Sequence, residues 1–187
     1  MEGPFLSGQL LIAMPGIGDP RFERALLLVC AHDGDRAMGL ALNRPVDGLT
    51  VPDLLGRLEV KTTIHAAPEL VLLGGPVERD RGFVLHTDDY SGDDTIRIGG
   101  GLALTATRDI LQALARNDGR PRRAILALGY AGWGAGQLEN ELKQNVWLTC
   151  EPDEELIFGG DHERKWSKAL SKLGVDPDWL GAAAGRA

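Results

Sequence analysis

The sequence predicts one α+β unit, a mixed sheet with helices packed on it. Three observations carry this. Short runs rich in Leu, Ile and Val, bounded by Gly, Pro or Asp, fill the first half of the chain, as buried strands do. Capped amphipathic segments then alternate with further apolar runs. The opening pair of strands reads as a hairpin, which a purely parallel, doubly wound sheet does not begin with.

Taken in order, Leu10–Ala13, Ala25–Ala31, Met38–Leu42, Leu70–Leu73, Phe83–His86 and Ile96–Ile98 fit strands. Asp33-Gly34 suits the tight turn between the second and third, so Arg24–Asn43 reads as a β-hairpin. Thr50 is placed to cap a helix that starts at Val51 or Pro52, with Leu54, Leu55 and Leu58 as its apolar stripe. Thr105 or Thr107 opens a second helix, with Ile110, Leu111 and Leu114 on one face and Gly119 as its stop. Ala124–Leu128 reads as a buried strand, Gln137–Asn145 as a third helix, Trp147–Thr149 as a strand and Leu156–Phe158 as an edge strand or turn. Asp161 is placed to cap a fourth helix in which Trp166, Leu170 and Leu173 stack before Gly174. No repeat, linker or low-complexity tract interrupts this order.

At 187 residues the chain suits one compact domain, which buries about 70% of its unfolded surface and holds together without disulfides or a structural metal. Usage of 43% hydrophobic and 25% charged residues is ordinary for a globular chain and disfavours disordered, collagen-like and disulfide-scaffold classes. The 20 Lys+Arg against 27 Asp+Glu give a net charge of −7, which repels phosphate backbones and anionic membranes on average. The best basic patch, Arg116, Arg120, Arg122 and Arg123, is diluted by Asp118 and reads first as a solvated loop. Cys30 and Cys150 lie in apolar runs without metal-ligand or C-x-x-C spacing, so they read as small buried hydrophobes. The N-terminus has Glu2 in place of a basic region and an apolar stretch too short for a signal. No run approaches the 18 apolar residues of a membrane span. The expectation is a soluble cytosolic protein, a monomer or weak homodimer.

The segment with the most chemical promise is Leu128–Glu141, in which a strand runs into Gly129, Gly132, Gly134 and Gly136 ahead of a helix. Such a loop can aim backbone N–H groups at an anion, with Trp133 as an apolar wall. The specific forms fail: there is no Walker lysine, no G-x-G-x-x-G and no elbow serine. Glu139 and Glu141 already complement the helix dipole and oppose a phosphate. The competing interpretation is a tight turn with Trp133 packed on the sheet. A second cluster, Gly74-Gly75-Pro76-Val77, reads as a turn that can lie beside the first. His32, His65, His86 and His162 have no zinc-ligand spacing. Asp88, Asp89, Asp93 and Asp94 lack the order of a calcium loop. His32-Asp33 offers a polarised base, although an exposed turn histidine is commoner. No metal and no cofactor are expected.

Across these segments the chain closely resembles the YqgE/AlgH family of bacterial proteins. The resemblance starts at Phe5-Leu6-Ser7-Gly8 and Leu11-Ile12-Ala13-Met14-Pro15. It runs through Asp19-Pro20-Arg21-Phe22, Cys30-Ala31-His32-Asp33 and Ala37-Met38-Gly39-Leu40-Ala41-Leu42-Asn43-Arg44-Pro45. Gly74-Gly75-Pro76-Val77, Leu85-His86-Thr87, Gly129-Tyr130-Ala131-Gly132-Trp133 and Gly136-Gln137-Leu138-Glu139-x-Glu141 follow, then Asn145-x-Trp147-Leu148 and Trp166-x-x-x-Leu170-x-x-Leu173-Gly174. The resemblance implies an α+β fold with a large mixed, partly barrel-like sheet flanked by about four helices. It brings no catalytic residues, and part of the family carries a transcriptional-regulator label. Direct DNA binding is disfavoured here by the net charge and the absence of a basic reading element.

Three functions compete. The first is a non-catalytic binding or regulatory protein that holds a small molecule or a protein partner at Asn43, Gly75, Pro76, Gly132, Trp133, Gly136, Gln137 and Glu141. The second is an enzyme using His32 or His86 with Glu139 or Glu141 as acid and base, which requires those groups within about 3 Å of one another or of a shared substrate. The third is nucleic-acid binding through Arg116–Arg123.

Overall fold

The computed structural model describes residues 5–15, 17–61, 69–116 and 119–178. His65 and Asp118 therefore lie outside the described residues. The strands are β1 (Leu10–Ala13), β2 (Leu26–His32), β3 (Arg36–Ala41), β4 (Pro45–Thr50), β5 (Leu70–Leu73), β6 (Val77–Thr87), β7 (Ile96–Gly99), β8 (Leu102–Thr105), β9 (Ala124–Gly134) and β10 (Trp147–Cys150). The helices are α1 (Val51–Arg57), α2 (Arg108–Arg116), α3 (Gln137–Lys143), α4 (Glu154–Phe158) and α5 (Lys165–Lys172).

All the described strands join one curled, 10-stranded sheet with the order β10-β1-β2-β3-β9-β6-β8-β7, while β5 joins β9 and β4. Every pairing is antiparallel except β5 with β9, which makes the sheet mixed as expected. β9 is its keystone. Its first half pairs with β6 and with β5, and its second half pairs with β3 through Ala131↔Gly39 and Trp133↔Ala37. The β2–β3 hairpin turns at Asp33, whose Oδ1 accepts the N–H groups of Asp35 and Arg36 at 2.8 and 3.0 Å.

The two faces of the sheet are apolar for different partners. One face, with Leu10, Ile12, Leu28, Leu40 and Leu85, packs against α4 and α5 through Leu156, Ile157, Trp166 and Leu170. The other face, with Leu11, Leu27, Val29, Ala37 and Trp133, packs under Leu138 of α3. This is the alternation that a two-sided strand imposes. Leu49 of β4, Val71, Val84 and Ile110 form a third cluster where α1 and α2 cover the far half.

Thr50 caps α1 as predicted, in a capping box with Asp53. Other boundaries differ. Leu156–Phe158 belongs to α4, because Asp153 caps the N–H groups of Glu155 and Leu156. Thr105 ends β8 and does not open α2, which starts at Arg108. Asp161 makes no side-chain cap, and a short 3-10 turn, His162–Arg164, leads into α5. β4 and β8 have no counterpart in the sequence reading. Among the described residues no helix is long and apolar enough to cross a membrane.

Candidate functional site

The glycine-rich segment is built differently from a loop. β9 continues through Gly134, and only Ala135 and Gly136 remain as a turn before α3. The glycines answer a close approach of two backbones. Gly129 has φ of 75°, and a Cβ there would stand 2.5 Å from the Gly75 carbonyl oxygen. Any Cβ on Gly75 would fall within the Tyr130 carbonyl group. The Gly74 N–H donates to the Leu128 carbonyl at 2.8 Å, and the Gly74 carbonyl accepts from the Ala41 N–H at 2.7 Å. Gly74-Gly75 thus does lie beside the segment, wedged between β3 and β9, and Pro76 follows half-buried.

Side chains of this segment are engaged internally. Trp133 is only 6% exposed. Its indole N–H and that of Trp147 donate to one Glu141 oxygen at 3.2 and 2.9 Å. Gln137 Oε1 accepts the Gly134 N–H at 2.9 Å. Gly136, at φ of 73°, caps α3 without a side chain. Gly132 lies exposed on β9.

The sequence suggests an exposed turn for His32, yet its side chain is 1% exposed. It ends β2 beneath the N-terminal segment, where Phe5 packs edge-on against the ring. Its Nδ1 accepts the Leu6 N–H at 2.9 Å, so Nε2 carries the proton and donates to the Glu139 carboxylate. The predicted His32–Glu139 pairing therefore exists, but both ring nitrogens are occupied. His86 sits elsewhere, on β6. Its Nδ1–H donates to the Thr87 carbonyl and its Nε2 accepts from Thr105 Oγ1, both at 2.7 Å. Burial holds it below its ordinary histidine value. Burial also pushes the Cys30 thiol up to about 12 and the Cys150 thiol upward, so neither is poised as a thiolate.

Two of the four arginines of the basic patch are paired. Arg122 holds Glu154 at 2.7 Å and Arg123 holds Glu155 at 3.2 Å. The acidic loop is a brace: Asp89 accepts the Arg122 N–H, and Asp94 accepts the Thr107 hydroxyl at 3.0 Å. Among the described residues no group of three or more His, Cys, Asp and Glu side chains is placed to hold a metal ion.

A polar cleft of about 410 Å³ opens beside Asn43, the remaining predicted site residue, with Arg24, Arg44, His162 and Trp166 in its lining. The Asn43 side chain accepts the Leu26 N–H at 3.0 Å and donates to the Arg24 carbonyl at 2.8 Å. That clip holds Arg24 at a φ of 54°, a region a non-glycine residue rarely adopts. The Arg24 guanidinium then lies 5.3 Å over the Trp166 ring, a cation–π contact. Arg44 donates one terminal nitrogen to the Glu23 carbonyl. Its buried Nε and the buried Nδ1 of His162 have no hydrogen-bond partner. Each such orphan costs about 1–3 kcal/mol.

Below the cleft lies Lys165, 2% exposed. Its ammonium donates to the Leu42 and Ile157 carbonyls at 2.9 and 2.8 Å. Burial, with Arg123 nearby, pulls this lysine down to about 8. Burial and the Lys165 charge together hold His162 below its ordinary value. A second cleft of about 390 Å³, running from Met14 to Arg24, shares Trp166 as a wall. Arg24, His162 and Trp166 escape a functional reading of the sequence. Only the Asn43-Arg44-Pro45 motif marks their neighbourhood.

Known proteins share this architecture. A family model described as AlgH-like matches residues 10–178. A UPF0301 protein of Caulobacter vibrioides is 64% identical over 187 residues, covering 100% of this chain and 96% of the relative. A UPF0301 protein of Rhodospirillum rubrum is 49% identical over 98% of this chain and 95% of its own length. The solution structure of the AlgH protein from Pseudomonas aeruginosa superposes with a TM-score of 0.76 at 39% identity, over 97% of this chain and 96% of that one. A crystal structure from Corynebacterium diphtheriae shares the fold, with a TM-score of 0.71 at 18% identity, over 92% and 89% of the two chains.

Proposed function

The chain belongs to the AlgH-like family, and we propose that it is a non-catalytic binding protein whose ligand sits in the cleft beside Asn43 and Arg44. One observation carries this reading: Arg44 and His162, which line the cleft, hold the unpartnered buried nitrogens Nε and Nδ1, while His32, His86, Glu139, Glu141 and both thiols are engaged in internal contacts. Its volume of about 410 Å³ falls within the range of small-molecule sites. The predicted residues Gly75, Pro76, Gly132, Trp133, Gly136, Gln137 and Glu141 then act as the frame of the sheet and its junction with α3. A cytosolic setting and a regulatory role, in which ligand occupancy is read by a protein partner, belong to the same proposal.

The test is a thermal-shift screen of metabolites and coenzymes on the natural chain and on Arg44→Ala. A ligand at one hundred times its Kd adds about 2.7 kcal/mol, a shift of roughly 5–10 °C at this size. The expected result is a hit lost in Arg44→Ala and retained in an Arg122→Ala control. Hits that survive Arg44→Ala place the site elsewhere.

A second reading, acid–base catalysis, draws on the direct His32–Glu139 contact. Against it stand the Leu6 N–H on His32 Nδ1 and the near-complete burial of the ring. A Glu139→Gln variant that abolishes turnover of a screened substrate while keeping its affinity supports catalysis. Nucleic-acid binding draws on Arg116 and Arg120, since Arg122 and Arg123 are paired with carboxylates.

A further inference from the structure

We infer that the occupant of the Asn43–Arg44 cleft is a small molecule carrying an oxyanion, a carboxylate or a phosphate, seated between Arg44 and His162 with its body against Trp166; this rests on the binding reading above. Three cationic side chains gather here. Arg24 is engaged by a ring face and a clip on its own backbone, and Arg44 by a backbone carbonyl. Lys165, directly behind, is engaged by two carbonyls. All three converge on one region with neutral acceptors in these contacts. The carboxylates that share the cleft lining, Glu23, Glu163 and Asp178, are on exposed residues, where solvent and salt screen them. Arg24 is itself exposed, so the inward positive charge is that of Arg44 with Lys165 behind it, and Glu23 and Asp19 act on Arg44 from the outer side.

The donor geometry agrees with the charge. A guanidinium presents Nε–H and a terminal N–H in one plane, which matches two oxygens of a carboxylate or phosphate. In Arg44 the Nε–H is the free member of that fork. The His162 ring also hydrogen-bonds the Leu42 backbone, and when the ring is protonated its Nδ1–H supplies a further donor. Both side chains are half-buried and line the cleft, while the two nitrogens themselves are shielded from solvent, so a ligand must turn the side chains toward it. The Trp166 ring and the adjoining cleft of about 390 Å³ leave room for an apolar or planar body. A chain of net charge −7 repels anions over most of its surface, which makes a local cationic hollow selective for a ligand small enough to enter.

The experiment is an NMR titration of the natural chain, observing arginine Nε–H and histidine ring signals. Sodium phosphate and sodium acetate are added against sodium chloride at constant ionic strength. A mixture of uncharged fragments is added separately. The expected result is a saturating shift of Arg44 Nε–H and His162 with phosphate or acetate. In Arg44→Lys, which keeps the charge and removes the fork, the His162 shift weakens at least about tenfold in affinity. Non-saturating shifts shared with exposed Arg21 and Arg79, or equalled by chloride, overturn the oxyanion assignment. If anions leave Arg44 unmoved while uncharged fragments shift it, the oxyanion assignment falls and the binding cleft stands. If neither moves it, both fall. The primary measurement is made on the unaltered chain, so a folding defect in the variant leaves its outcome intact.

Discussion

Trp133 and Trp147 stand edge to face, 6.1 Å apart between centroids, and donate both indole N–H groups to the same carboxylate oxygen of Glu141. One side chain of α3 thereby ties β9 to β10, two strands that do not pair. Removing it in Glu141→Ala strands two donors, at about 1–3 kcal/mol each. We expect a loss of about 2–5 kcal/mol by urea denaturation, and a smaller loss in Glu141→Gln, which keeps an acceptor. An unchanged midpoint in Glu141→Ala would show that the two indoles find other partners.

Gly75→Ala should be among the most damaging methyl additions to this chain. Its Cβ collides with the Tyr130 backbone, and no rotamer relieves a backbone clash. The expected cost is about 3 kcal/mol or more. Gly134→Ala, whose Cβ would meet nothing nearer than Gln137 Oε1 at 4.0 Å, should stay within about 1 kcal/mol. Equal stability of the two variants contradicts the close-approach account.

Lys165 makes stability rise with pH in the alkaline range. Its folded value near 8 lies below the ordinary 10.5. Between those values the unfolded chain holds a proton that the folded chain has released, so raising the pH favours the folded state. The gain across the window is on the order of 3 kcal/mol. Cys30, held up near 12 from 9, acts in the opposite direction above pH 9. The useful quantity is therefore the difference between the natural chain and Lys165→Met. That difference should change steadily from pH 8 to 10.5, in the direction of a relatively more stable natural chain, and a constant difference refutes the assignment.

Acid acts through His86 and His162. Burial lowers both from 6.5, so below that pH the unfolded chain takes up protons that the folded chain resists, and stability falls. In His86→Gln the fall between about pH 7 and 5 should be shallower when ΔG is measured by denaturant titration at each pH. An identical slope would assign the acid response elsewhere.

Native Cys30 should be inert to a thiol reagent. It is 3% exposed and its thiol is held near 12, so labelling must wait for opening of the sheet. Its rate should follow global unfolding as urea is raised, and rapid labelling in buffer would show a local route to β2.

The elements readable from the sequence are those that carry their own signals. The β2–β3 hairpin announces itself by an unbroken apolar run and an Asp at the turn, and α1 by Thr50 and Pro52. β4 is invisible because Asp47 and Gly48 are exposed and the strand is held by Leu72 and Leu70 across from it, not by a pattern of its own. The five-residue α4 is too short for periodicity, and its signal is the Asp153 cap alone. Gly129, Gly132 and Gly134 look like a loop because glycine usually punctuates. Here Gly129 makes space for Gly75, a residue far away in sequence. The cleft is the extreme case. Arg24, Arg44 and His162 converge only because α5 docks through Lys165 on Leu42 and Trp166 on Ala13, and no local pattern encodes that docking.

β1 is an interior strand whose second neighbour is β10, with Ala13 opposite Trp147, and the outer edge of β3 is closed by residues 131–134 of β9. While the ribosome has delivered only the first three strands, both edges of that small sheet stand open, and the wait lasts for most of the chain. Such edges recruit stray strands, and so distant a closure makes for slow folding. Nascent chains of this protein should be clients of ribosome-associated chaperones until Cys150 has emerged.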